Sequence, residues 1–287
     1  MNFRPDQFSD FERDRNYIHP AIEHAYNTAE ETLAKNAIDP HDFTELYGAE
    51  NIERDLARVE KKEKGFTVDA PKIYAEVLEA ILFDQIGNGD WFGKGTRAIK
   101  TSQYDDYING SDIILELEEV NRTLSHLSLS VDVTFGTTTE EKKFAMIKKH
   151  IDDETLGEIK YFHSERGGFQ GKLSRVPQVV IGVEKELLIK LSGLWADKHG
   201  RKEENSEELA SHPVQRLIFA EILLQLQTFR IYAEETKKES IVPIYEKSIN
   251  ILEEILRGKG PAGLGDLRND KVFTAIRESL QVFKTLS

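Results

Sequence analysis

The sequence predicts an α+β protein, a mixed α/β core with helical regions on both sides. Three observations point that way. Residues 66–200 hold short β-type segments punctuated by glycines, with helical patterns between them. Residues 1–65 and 201–287 read as helical. At 287 residues, 39% of them hydrophobic, the chain is long enough to bury a sizeable core.

In the N-terminal region, Pro20 stands where a first helical residue is favoured, and Ala21 to Lys35 carries helix formers. Asp39-Pro40 breaks the chain, and a second helix is expected from about His41 to Glu63. Its later part, ERDLARVEKKEK, is nearly all charged, as a solvated helix face with i,i+4 pairs would be. The core region opens with a helix over 71–86. The β-type segments TRAIKTS, DIILELE, LSLSVDVTF, EIKYF and VPQVVIGV follow, with helices expected over 139–151 and 183–197. The order expected is α-β-β-β-α-β-β-α. In the C-terminal region Pro213 marks a helix start, a second helix runs over 243–257 into the stop Gly258-Lys259-Gly260-Pro261, and a third covers 270–286.

Composition excludes several chemistries. With no cysteine there is no disulfide scaffold, Cys-ligated zinc, iron–sulfur site or thiol nucleophile. No apolar stretch approaches 18 residues, and the charged N-terminus lacks a signal-peptide pattern, so the expectation is no membrane and a cytoplasmic protein. The net charge of −13 opposes non-specific binding to nucleic acid, although a local basic groove is compatible with it. There is no GxxxxGK[ST], no GxGxxG after a strand, no HExxH and no GxSxG. The eight histidines are scattered; His126 and His163 fall in the core region.

Carboxylates supply the candidate chemistry. Around Asp132, Leu127, Leu129, Val131, Val133 and Phe135 alternate with Ser128, Ser130, Asp132 and Thr134. An acid in mid-strand is unusual, because Asp is a poor strand former. Asp112 opens an apolar run just after Asn109-Gly110, and 20 residues separate it from Asp132, enough for two adjacent antiparallel strands to bring the pair together. Asp105 and Asp106 fall in the preceding turn, where turn chemistry and capping account for them. On the helix over 71–86, Glu76 flanks the apolar face, Asp84 is its rival, and Glu79 is expected to point to solvent. Clustered carboxylates repel, and a hard cation such as Mg²⁺ resolves that repulsion through oxygen ligands.

A helix glutamate, a strand aspartate and a second strand acid followed by a helix, in the order αβββαβ over residues of about 71–184, resemble the PD-(D/E)XK nuclease superfamily. The resemblance implies a metal-dependent nuclease that hydrolyses phosphodiester bonds of DNA or RNA. Glu76, Asp112 and Asp132 would hold Mg²⁺ or Mn²⁺, and a dimer would supply two sites for two strands. The family's lysine, two residues after the acid, is Thr134 here. A lysine from elsewhere would take its place, Lys143 first and Lys160 second. Lys94, Arg97, Lys100, Lys142, Lys148, Lys172 and Arg175 are candidates for phosphate contacts. The alternatives are a catalytically inactive binding protein on the same core, and an unrelated α+β interaction protein whose carboxylates are surface features.

Overall fold

The computed structural model describes residues 17–65, 70–118, 123–131, 137–199, 203–260 and 269–284. The molecule is mixed α+β, built on a four-stranded sheet and a separate two-stranded hairpin. Helix α1, Pro20–Asn36, begins at the expected proline, its N-cap His19 accepting from the Ala21 amide. The single helix expected over 41–63 is broken. A 3₁₀ turn, Pro40–Phe43, and a short α2, Thr44–Tyr47, precede α3, Ala49–Glu63. Gly48, at φ +77°, makes the break in a backbone conformation that other residues adopt only with strain.

Helix α4, Ala70–Gly87, leads into β1, Thr96–Lys100. A short helix, α5 (Gln103–Asn109), follows where a turn was expected. Ser102 caps it by accepting from the Asp105 amide at 3.1 Å, and Gly110 ends it at φ +68° in the left-handed cap conformation. Strands β2, Ile113–Glu118, and β3, Leu124–Val131, complete an antiparallel meander. Helix α6, Thr137–Asp152, then leads to the hairpin of β4, Gly157–Ser164, and β5, Phe169–Val176. Strand β6, Gln178–Ile181, returns parallel to β3 and gives the sheet order β1-β2-β3-β6.

The helices α7 (Lys185–His199), α8 (Glu203–Ala210), α9 (Val214–Glu235), α10 (Val242–Gly258) and α11 (Lys271–Ser279) complete the chain, with a final 3₁₀ turn over Leu280–Phe283. Strand β5 and helix α8 have no counterpart in the expected order. FQGKLSRV has too few apolar residues at period two, and EENSEELA is nearly all polar.

Strand β2 explains the layering. Ile113, Leu115 and Leu117 enter the main core, which also takes Ile22 and Ala25 of α1, Val77 and Ile81 of α4, Phe229 of α9 and Phe283. Ile114, on the opposite face, packs with Ile159, Phe162 and Val176 of the hairpin. Thus helices cover one face of the sheet and the β4–β5 hairpin covers the other. A third cluster joins Phe43, Ile52 and Val59 to Tyr104 and Tyr161, tying α3 to α5 and β4. None of the described helices is long and apolar enough to cross a membrane.

Candidate functional site

Asp112 sits at the point where β2 begins, beside the end of β3. Its amide donates to Leu129 O at 3.0 Å, and its carboxylate Oδ2 accepts from the Val131 amide at 2.6 Å. Its backbone carbonyl accepts from Thr101 Oγ1 at 3.0 Å and Lys100 Nζ at 3.3 Å. Part of its surface stays open to solvent. Asp132 is the next residue in sequence after Val131, and it lies, with Thr134, outside the described residues.

Four further charged groups converge here. Lys100, the last residue of β1, is buried, with Nζ 2.9 Å from Glu79 Oε1 and 3.0 Å from Asp106 Oδ2. Lys143 reaches from the first half of α6 to the end of β3, its Nζ donating to Val131 O at 3.4 Å. Lys143 is close enough to Asp112 to favour its charged form. Phe144, Ile147 and Ile151 anchor α6 in the core, which fixes where Lys143 emerges.

The electrostatics of the cluster favour protonation of Asp112 and Glu79. Burial, then the like charges of Asp106 and Glu79, push the Asp112 carboxyl well above the usual range, while Lys143 and Lys100 pull it down. Burial pushes Glu79 up to about 7, against the pull of Lys100. Lys100 is also shifted upward, which for an amine favours the charged form. Asp106, Glu79 and Asp112 together outweigh its burial and hold it charged. Glu79 Oε1, although close to Lys100, is not aligned to accept a hydrogen bond from it. The result is three carboxyl groups beside two lysines, an all-oxygen donor set that fits a hard cation once its acids are ionised. Among the described residues no three His, Asp or Glu side chains are placed to hold a metal by themselves.

The helix glutamate differs from the expectation. Glu79, expected to face solvent, is only 6% exposed and belongs to this cluster. Glu76 is half-buried and lies 3.6 Å from Lys72 of its own helix. The physical reason is that α4 has no solvated side at this level: residues 77–82 are all buried, because α1, α7 and the sheet pack around it. A wheel that assumes one wet face therefore assigns Glu79 wrongly. Asp84 is a structural residue, accepting from Trp195 Nε1 at 3.0 Å and Gln85 Nε2 at 2.9 Å.

Other candidates lie elsewhere. Lys160 is paired with Asp55, its Nζ 5.3–5.4 Å from the ring centres of Tyr47, Tyr104 and Tyr161. It is a cross-link between α3 and β4. Asp105 is fully buried in the first turn of α5, so it is more than a turn residue. Among the phosphate candidates, Lys100 is enclosed by acids, Lys172 pairs with Glu158 at 2.5 Å, and Arg175 donates to Ser240 O at 2.5 Å. Lys148 donates to Asp152 and to Tyr232. Arg97 lies 3.9 Å from Glu165, and Lys94 and Lys142 are exposed. The seven do not form one basic groove beside Asp112. His163 is exposed, whereas His126 is paired across the strands with Glu116. Comparison with protein-family models, with curated proteins and with solved structures finds no match to this chain.

Proposed function

We propose that the protein is a metal-dependent nuclease of the PD-(D/E)XK type. The observation that supports this reading is the meeting of Asp112, Glu79 and Lys143 at one end of a sheet in which the elements run α4, β1, β2, β3, α6, β6. The short helix α5 and the β4–β5 hairpin are insertions in the αβββαβ order. In this reading Asp112 and Asp132 hold the cation, with Glu79 taking the place given above to Glu76. A bound Mg²⁺ or Mn²⁺ would lower the pKa of a coordinated water and stabilise charge on the phosphate.

The chain's own residues then have separate tasks. Asp112 is held by the Val131 amide, which fixes one carboxylate oxygen and leaves the other for a ligand. Lys143 takes the part of the missing lysine, as a cation beside Asp112 that orients water or balances charge on the phosphate. Lys100 lowers the repulsion among Glu79, Asp106 and Asp112 and so keeps the group folded without a cation. The test is cleavage of single- and double-stranded DNA and RNA with Mg²⁺ or Mn²⁺ against EDTA. Cutting that needs metal and disappears in both Asp112→Asn and Asp132→Ala supports the reading; cutting untouched by either refutes it.

The second reading is a binding protein on the same core, without catalysis. Thr134 in the lysine position and the buried Lys100–Glu79 pair favour it. A folded protein that binds Mn²⁺ and nucleic acid but cuts none of the four substrates would establish it.

A further inference from the structure

A cavity lies on the hairpin side of the sheet, with a volume of about 680 Å³. That size is in the range of small-ligand sites, roughly 300–1,000 Å³. Phe169 presents an aromatic ring at the cavity, its centre 6.2 Å from that of the buried Phe162 that supports it, and Leu124 adds apolar surface. Phe169 is 44% exposed, so its ring is open to a ligand. Arg166 stands at the cavity, 3.1 Å from the half-exposed Glu118.

His126 supplies the polar group. It lines the cavity and lies edge-on to Phe162 at 5.0 Å. Directly across the strands is Glu116, 1% exposed, with Oε2 3.5 Å from His126 Nε2. Both atoms are buried, and neither has a hydrogen-bond partner among the described residues. A buried carboxylate oxygen left in this state is costly, and it needs an account. Nε2 is turned to Glu116, which leaves Nδ1 as the ring nitrogen for a ligand. Burial holds the ring below the usual histidine range in spite of Glu116, so near neutral pH it both donates and accepts.

We infer that this cavity binds a nucleotide, with the base stacked on Phe169 and met at its edge by His126, whose ring Glu116 orients. A base offers the flat π-face that the exposed Phe169 ring takes without regard to sequence. Its edge offers a donor that His126 Nδ1 accepts from when Nε2–H faces Glu116. Arg166, which donates to Gly95 O at 2.8 Å, has further N–H groups to give to the phosphate. The site is separate from the Asp112 cluster: Glu116 is four residues further along β2, about 13 Å at strand rise. The inference needs no cleavage to be correct. A free mononucleotide and one nucleotide of a single strand present the same chemistry here.

Calorimetric titration with EDTA present tests it, using AMP, GMP, CMP, UMP, an eight-nucleotide single-stranded DNA and inorganic phosphate on the full chain. Saturable binding of at least one mononucleotide or the oligonucleotide is expected, with Phe169→Ala weakening it about tenfold and His126→Ala at least as much. Phe169 is exposed, so its variant keeps the fold, and an unchanged thermal melt verifies that. Binding of mononucleotides assigns the site to free nucleotide; binding of the oligonucleotide alone assigns it to a strand. The inference is overturned if no nucleotide or oligonucleotide saturates, if phosphate alone binds as well as they do, or if both variants bind as wild type. Asp112→Asn should leave this binding intact, so loss of cleavage and loss of nucleotide binding are separable.

Discussion

Asp105 and Asp112 stand seven residues apart, in two regions that treat a carboxylate in opposite ways. Asp105 is fully buried and receives four hydrogen bonds. Oδ1 accepts from the Lys160 amide at 2.7 Å and Asn109 Nδ2 at 2.7 Å, and Oδ2 from Ser102 Oγ at 2.8 Å and the Tyr161 amide at 3.0 Å. Two of those donors are backbone groups of β4, next to the register irregularity between Ile159 and Phe162. Asp105 therefore completes a broken ladder. Asp112 has the Val131 amide on one oxygen, like-charged Glu79 and Asp106 around it, and some surface open to water. Among the described residues, the number of donors separates Asp105, a structural acid, from Asp112, the acid to which the proposed function gives a ligand, better than burial does. Fully satisfied groups hold a fold together, while groups left short of donors have capacity for a ligand.

The comparison breaks most sharply at Asp112. In the proposed nuclease, Asp112→Asn should lower metal-dependent cleavage by about 10³-fold and leave the thermal melt unchanged or raised, because the substitution removes a repelled charge. A large loss of stability in Asp112→Asn, measured by urea unfolding, would place it with Asp105 as a structural residue. Lys100 comes next. Lys100→Met leaves Glu79 and Asp106 without their common cation, and breaking a buried pair costs about 3–5 kcal/mol. Adding Glu79→Gln to that variant should recover a good part of the loss. Equal instability in the single and double variants would mean that Lys100 acts through its packing.

Asp105→Ala probes the other side of the comparison. It orphans four donors, two of them backbone amides, and should cost about 2–3 kcal/mol in urea unfolding. Metal-dependent cleavage per folded molecule should not change. A variant as stable as wild type would show that water replaces the carboxylate and that the ladder does not need it.

The two regions were also unequally legible. The places of Asp112, at a strand start, and of Lys143, on the flank of an amphipathic helix, follow from sequence, because both are local properties that depend on period and turn signals. Glu79 does not, since its burial depends on α1 and α7 packing against α4 from distant parts of the chain. Asp105 looks like an ordinary turn residue, because its partners Lys160 and Tyr161 are 55 and 56 residues away. The His126–Glu116 pair needs the β2–β3 register, which no single strand specifies. The parallel return of β6 was legible as a strand but not as a partner of β3, because the β4–β5 hairpin intervenes.

The smallest effect sharpens the comparison through pH. Glu79 takes up its proton more readily in the folded protein, at about 7, than in the unfolded chain, near 4.5. Its contribution to stability is therefore fully present below about pH 4.5 and is lost as pH rises through 7. Lys100, shifted upward, stays charged across that window and adds no slope to it. Urea unfolding of wild type should show stability falling from pH 5 to pH 8, and Glu79→Gln should remove on the order of 1–2 kcal/mol of that fall. The share is less than the full shift implies, because Asp112 is close enough to exchange part of the proton with Glu79. Glu221, buried beneath β6 with Oε2 accepting from the Gly182 amide at 3.1 Å, is also pushed upward by burial, and no lysine stands among its causes. Glu221→Gln should flatten the same curve without changing Mn²⁺ binding, whereas Glu79→Gln should flatten it and weaken Mn²⁺ binding together. Parallel curves for wild type and Glu79→Gln would mean that Lys100 keeps Glu79 ionised throughout, and that the acids around Asp112 are balanced before any cation arrives.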